Sequence, residues 1–190
     1  QQWLAQLAAQ QNCAITGSIA VREDNKVYNR MLFATPEALY QYDKRHLFRM
    51  AGEDQRYVAG DRRVTVDFRD WRINLQVCYD LRFPVFARNQ DDFDLQIYVA
   101  NWPAKRSYHW RQLLIARAIE NQACVVGVNR IGSDANGVEY QGDSLAIAAD
   151  GIILYDLENH SEAAQLTLSG AALTNYRKKF PCHLDADSFY

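Results

Sequence analysis

The sequence predicts an α/β fold in which two sheets lie face to face and helices cover their outer faces. Two observations predict it. Short apolar runs of strand length alternate with stretches whose apolar residues recur at helical spacing. Near the N-terminus, three strand-like runs follow one another through turn residues, which is the pattern of an antiparallel meander. The chain has 190 residues and nothing in it resembles a Pro/Gly/Ser linker, so residues 1–190 read as one domain with room for a sizeable core.

Taken in order, residues 1–11 (Q-Q-W-L-A-Q-L-A-A-Q-Q) place Trp3, Leu4, Leu7 and Ala8 on one helical face, with no cap or start signal ahead of them. Residues 13–21 read as a buried strand. Residues 27–34 form a second strand across an Asp24-Asn25 turn, and residues 39–42 form a third after Pro36. A polar loop follows, bracketed by Gly52 and Gly60. Residues 64–68 and 71–77 are strands joined at Arg69-Asp70; in the second, Trp71, Ile73, Leu75 and Val77 alternate with polar residues, as in a half-buried strand. Residues 83–89 read as a short helix with Pro84 in its first turn. Residues 95–100 are a buried strand. Residues 108–122 are the longest helix, with Trp110, Leu113, Leu114, Arg117, Ala118 and Asn121 along one side. Residues 124–128, 144–148, 152–155 and 164–168 read as strands, 133–140 as a hairpin loop, and 170–178 as a closing helix.

Composition excludes several classes of function. Hydrophobic residues make up 48% and net charge is −2, with the basic residues scattered, so there is no electrostatic footprint for nucleic acid. No apolar run reaches the length of a membrane span and no signal peptide opens the sequence. The four cysteines, Cys13, Cys78, Cys124 and Cys182, stand far apart without a C-x-x-C pair, so neither a zinc site nor a dithiol motif is encoded. Cys13 and Cys124 lie in apolar runs and are expected in the core; Cys182 is expected in a loop. Four unpaired thiols predict a cytoplasmic protein.

Cys78 stands apart because it sits where a strand hands over to a helix. A helix start presents unpaired N–H groups and partial positive charge, both of which favour a thiolate. The alternative reading is a small apolar residue ending a core strand. Splitting an amide through a covalent intermediate needs a nucleophile, a base, oxyanion donors and an acid for the leaving ammonia. Cys78 can supply the first. Lys44, at a strand end between Tyr42 and Leu47-Phe48, can supply a cation and an oxyanion donor, and the Tyr79 N–H a second donor. His46, two residues on, is a rival base, since on extended backbone it points the same way as Lys44. Asp80 and Arg82 are expected to pair with each other or with backbone. Arg117 and Glu120 form a structural i, i+3 pair, and Asp91, Asp92 and Asp94 a solvated acidic turn.

Three stretches taken in order, D-K-R-H-L-F (43–48), G-E-D-Q-R-Y-V-A-G (52–60) and V-C-Y-D-L-R-F-P (77–84), resemble the nitrilase superfamily of carbon–nitrogen hydrolases. R-A-I-E-N-Q (117–122), N-R-I-G (129–132) and G-D-S (142–144) extend the resemblance over essentially the whole chain. N-W-P (101–103) and the sequence as a whole look most like the omega-amidase branch. The resemblance implies a four-layer α-β-β-α sandwich and a Glu–Lys–Cys triad, whose second and third members match Lys44 and Cys78. It implies that Glu53 stands beside the site and helps to hold the substrate amide and the lysine. It implies small omega-amides of 2-oxo dicarboxylic acids as substrates, no metal or organic cofactor, and a homodimer to which the helix 108–122 contributes. Tyr79, Asn101, Trp102 and Tyr57 are the candidate pocket residues.

The triad's first glutamate has no good match. Glu23 lies in a hairpin turn and Glu37 follows Pro36. The expectation is therefore that the domain is N-terminally incomplete, lacking its first strands, with the base on an upstream strand end. The rival readings are a deaminated-glutathione or carbamoyl-amide amidase, a non-catalytic binding module, and a redox thiol protein. A glutamine amidotransferase of the nucleophile-elbow type is disfavoured, because bulky Val77 and Tyr79 flank Cys78.

Overall fold

The computed structural model describes residues 1–187. Helix α1 (Gln2–Gln11) has no side-chain cap and closes on left-handed Asn12. It packs on strands β1 (Ile15–Glu23) and β2 (Lys26–Ala34), burying Ala8 but leaving Trp3 70% exposed, so its apolar stripe is only partly covered. β3 (Leu39–Asp43) completes an antiparallel sheet in the order β1-β2-β3. The expected turn is there: Asp24 and Asn25 both take positive φ, which suits a two-residue hairpin loop. The expected burial of the first strand is not. β1 is the edge of its sheet and has no fully buried residue, being half-buried at residues 15–17 and 21 and exposed elsewhere, whereas β2, in the middle, buries Met31 to Ala34. Cys13 is accordingly half-buried rather than core, while Cys124 is buried.

The second sheet is built from β4 (Thr65–Phe68), β5 (Trp71–Val77), helix α2 (Pro84–Ala87), β6 (Leu95–Ala100), helix α3 (Ser107–Asn121) and β7 (Cys124–Asn129). After the ribbon β8 (Ile131–Ser133) and β9 (Glu139–Gln141) come β10 (Leu145–Ile147), β11 (Ile153–Asp156) and helix α4 (Gly170–Lys179). Its strand order is β11-β10-β7-β6-β5-β4, parallel at β5, β6 and β7 and antiparallel at both flanks.

Ile73, Leu75 and Val77 of β5 meet Met31, Phe33 and Tyr42 of the first sheet in one core. On the other face, Trp110, Leu114 and Ala118 of α3 meet Tyr98, Val125, Leu145 and Ile147 in a second core. The layers run α-β-β-α, as expected. β5 departs from a half-buried strand because a parallel central strand is covered on both faces. Asn74 and Gln76, polar in the sequence, are fully buried and hydrogen-bonded to each other, with Gln96 joining at Asn74 Oδ1 and Tyr98 donating to Gln96.

Three further expectations are corrected. The helix expected over residues 83–89 is a 3₁₀ helix, Cys78–Arg82, followed by the single turn α2. Residues 164–168 form no strand: no ladder partner faces them among the described residues, and only Leu168 settles against the core. The acidic turn is ion-paired rather than merely solvated. Asp92 meets Arg63 at 3.0 Å, and Asp94 meets Arg72 and, from α4, Arg177 at 2.9 and 2.7 Å. No helix among the described residues is long and apolar enough to cross a membrane.

Candidate active site

The parallel strands β5, β6 and β7 all point their C-terminal ends the same way, and in open α/β sheets that is where ligands bind. Cys78 follows β5, Asn101 follows β6, and Arg130 follows β7. Val77 is still extended, at φ −123°, but Cys78 turns to φ +48°. A residue with a Cβ reaches that left-handed region at a cost of about 1–3 kcal/mol, so something must hold it there. Asp80 does so. Its Oδ2 accepts the Val77 N–H at 3.0 Å, folding the turn back onto the strand end. The turn lifts the Cys78 side chain off the sheet to within 3.9 Å of the Asn101 carbonyl oxygen. The Tyr79 N–H lies in the first turn of the 3₁₀ helix, where no intrahelical acceptor precedes it.

The same carboxylate joins the cysteine turn to the lysine segment. Asp80, fully buried, accepts from Tyr42 Oη at 2.7 Å, from the His46 N–H at 2.9 Å and bonds His46 Nδ1 at 2.8 Å. Its partners are thus His46, Tyr42 and backbone. Arg82 instead reaches His109 Nδ1 at 2.8 Å. The chain bends after β3, so Lys44 and His46 diverge. His46 stacks on Phe83, 3.8 Å between centroids, outside the cleft lining, which removes the basis for a Cys–His pair.

Lys44 turns to Glu53, Nζ to Oε2 at 2.6 Å, with both side chains largely buried. Glu53 Oε2 also accepts the Phe48 N–H at 2.6 Å, and Oε1 the Asn29 amide at 3.1 Å. Gly60 closes the back of this segment, its N–H on the Lys44 carbonyl; a Cβ there would run into the Asp43 carbonyl.

These groups line a cleft of about 780 Å³. Lys44, Glu53, Cys78, Tyr79, Asn101 and Trp102 all border it; Tyr57 does not, and its neighbour Arg56 takes that place. Trp102 is nearly buried, its indole donating to the Arg106 carbonyl at 2.8 Å, so it forms a wall anchored in the second core. Asn129 fixes the Asn101-Trp102 loop by accepting the Trp102 N–H at 2.7 Å and donating to the Trp102 carbonyl at 3.1 Å. Glu23 and Glu37 lie elsewhere: Glu23 pairs with Arg30 at 2.8 Å, and Glu37 sits in the Thr35 turn. Sequence reasoning gave no site role to Phe48, Arg106, Asp134 or Tyr140, which reach the cleft from separate segments; Phe48 ends the D-K-R-H-L-F stretch, and the other three belong to no quoted motif.

Burial pushes the Cys78 thiol above its ordinary pKa; the Lys44 charge opposes this, and the Glu53 and Asp80 charges add to it. The expected thiolate preference at the helix start is therefore overturned by desolvation. Burial also pushes Glu53 up, but the Lys44 charge, its hydrogen bond, and the Phe48 and Asn29 donors outweigh that and hold it below 4.5. A thiol sharing one cleft with the Lys44 ammonium and the Tyr79 backbone N–H can be acylated by an amide once its proton is taken. No group of three His, Cys, Asp or Glu is placed to hold a metal ion among the described residues.

Fold and site define a carbon–nitrogen hydrolase. The carbon–nitrogen hydrolase family model matches residues 1–177, and the chain belongs to that family. It is 52% identical over 189 residues to Omega-amidase YafV of Escherichia coli (strain K12), which spans 98% of this chain and 74% of the relative. It is 36% identical over 159 residues to the 2-oxoglutaramate amidase of Bacillus subtilis (strain 168), spanning 81% of this chain and 61% of that one. Among solved structures it superposes with a TM-score of 0.97 on XC1258 from Xanthomonas campestris, a CN-hydrolase superfamily protein with an arsenic adduct in its active site. The two are 49% identical, and the match covers 100% of this chain and 75% of that one.

Proposed function

We propose that this protein is an omega-amidase, hydrolysing small omega-amides of 2-oxo dicarboxylic acids, of the 2-oxoglutaramate type, to the acid and ammonia. The observation that carries the reading is the left-handed Cys78 turn set in one cleft with the Lys44–Glu53 pair. Cys78 Sγ attacks the amide carbon. The S–C bond forms, the C–N bond breaks, and the thiol proton leaves with ammonia; water then splits the thioester and returns the thiol. The Lys44 ammonium and the Tyr79 N–H are the donors to the oxyanion. Both Glu53 oxygens are taken up by donors, Oε2 by Lys44 and the Phe48 N–H and Oε1 by Asn29, so Glu53 anchors Lys44 rather than relaying the proton. Asn101 and Trp102 wall the acyl chain. The chemistry calls for no cofactor.

The protein acts in the cytoplasm, as its four free cysteines support. It works as a homodimer through α3, whose Tyr108 and Ile119 are exposed apolar residues. The test is ammonia release from a panel of 2-oxoglutaramate, deaminated glutathione, N-carbamoyl compounds and nitriles, with intact-protein mass spectrometry of quenched enzyme. An acyl adduct on Cys78 with 2-oxoglutaramate as best substrate is expected. Preference for a carbamoyl compound, or no adduct, refutes the reading.

A further inference from the structure

The cleft carries more positive charge than amide hydrolysis uses. Lys44, Arg56, Arg82, Lys105 and Arg106 line it against Glu53 and Asp134, in a chain whose net charge is −2. Neither carboxylate faces the surplus. Glu53 is matched to Lys44. Asp134 is bound up in its own hairpin, accepting from the Asn136 and Val138 N–H groups and from Tyr140 Oη at 2.9, 3.0 and 2.9 Å. A low-dielectric cleft lined by one sign of charge concentrates ligands of the other sign.

The surplus cations are not equivalent. Arg56 donates to the Ala51 and Gly52 carbonyls, and Arg82 is engaged by His109 and lies over the Trp102 ring. Lys105 is exposed. Arg106 is half-buried, its guanidinium 5.3 Å from the centre of the Phe48 ring, and that guanidinium has no hydrogen-bond acceptor or carboxylate among the described residues. Elsewhere, guanidiniums of comparable or lower exposure, at Arg30, Arg111 and Arg177, are each matched by a carboxylate. Phe48 also connects Arg106 to the amide end, since its N–H donates to the Glu53 oxygen that holds Lys44.

We propose that Arg106 is the receptor for a carboxylate at the far end of the substrate from the amide, so that the cleft selects amides with an anionic tail. This rests on the omega-amidase reading and assigns the group that would make it selective. The guanidinium fork matches a carboxylate with two parallel hydrogen bonds. Its backbone is fixed independently by the Trp102 indole, so removing the side chain leaves the loop anchored.

The experiment compares 2-oxoglutaramate with butyramide, a neutral amide, in the intact protein and its Arg106→Gln and Arg106→Lys variants. For Arg106→Gln, kcat/KM for 2-oxoglutaramate falls about ten- to a hundredfold, the loss expected for charge-assisted hydrogen bonds, mainly through KM. Butyramide turnover stays within about twofold, and Arg106→Lys lies between, keeping charge but losing the fork. In parallel, 2-oxoglutarate protects Cys78 from iodoacetamide, and Arg106→Gln raises the concentration needed by a similar factor. Equal losses on both amides, or an unchanged KM for 2-oxoglutaramate, overturn the assignment. If the wild type releases no ammonia from any omega-amide, the functional reading fails, and the protection assay still decides Arg106.

Discussion

Asp80→Asn tests the joint between the two halves of the site. The carboxylate takes two donors on each oxygen: Val77 N–H and Tyr42 Oη on Oδ2, His46 N–H and His46 Nδ1 on Oδ1. An asparagine amide must turn its NH₂ toward one of these sides. Tyr42 can rotate its hydroxyl to accept, and His46 can change tautomer. The backbone donor on that side, Val77 or His46, can do neither and is left without an acceptor. One buried orphaned donor costs about 1–3 kcal/mol, and the surviving bonds lose their charge assistance, so the total is about 3 kcal/mol. For a chain of this length that lowers Tm by about 6–12 °C. Turnover falls further than stability, because Asp80 fixes the Lys44 segment relative to the Cys78 turn. The two effects are separable. The Asp80 charge holds the Cys78 thiol up, so its loss moves the midpoint of Cys78 alkylation to lower pH. A drop in kcat accompanied by an easier ionisation comes from misplacement, not from a less reactive sulfur. Urea unfolding, ammonia release and iodoacetamide rates against pH measure all three. A stability loss under about 1 kcal/mol with unchanged kcat would refute the argument.

Cys78→Ala abolishes turnover and the acyl adduct while the protein stays folded; retained activity would remove the basis of the proposed mechanism. Lys44→Met lowers kcat by about 10²–10³, the cost of one oxyanion donor, and moves the alkylation midpoint of Cys78 upward, since the Lys44 charge now holds it down. His46→Asn costs much less than Lys44→Met in kcat, and the reverse order would restore a histidine base. Glu53→Gln strips a nearly buried ammonium of its carboxylate and destabilises by about 3 kcal/mol at pH 7. The native Glu53 pKa is lowered, so its contribution is complete above 4.5 and fades as pH falls through the native value; the gap between wild type and variant closes in acid. A gap that persists at pH 2 would argue for lost packing instead.

The meander, the α3 helix and the cysteine turn were legible because each follows from local chemistry. Asp24-Asn25 fit a hairpin turn, the apolar residues of α3 recur every three or four positions, and Cys78 ends an apolar strand. What was not legible depends on neighbours. Asn74 and Gln76 read as a solvent face, because period two says that a strand has two faces and not what covers the second. Residues 164–168 carry an apolar alternation but meet no ladder partner, and a strand needs one. Asp80 read as a local helix-start residue, yet three of its four bonds cross to residues 34 and 38 positions earlier.

The cysteine shows the same limit in energetic terms. Cys78 does sit where a strand hands over to a helix, as expected, and its φ of +48° turns the chain there. The inference that the helix start would favour the thiolate failed because it weighed only the nearest backbone dipoles. The 3₁₀ helix Cys78–Arg82 is too short to build a large macrodipole, while burial, Glu53 and Asp80 all act against the charged form, opposed by the Lys44 charge and a backbone hydrogen bond at Asn101. The sulfur becomes a nucleophile once its proton is taken. On this geometry, Lys44 eases ionisation of the resting sulfur, which alkali also achieves, and donates to the oxyanion, which alkali does not replace. That is why Lys44→Met is expected to lower kcat far more than it slows alkylation of Cys78 at alkaline pH.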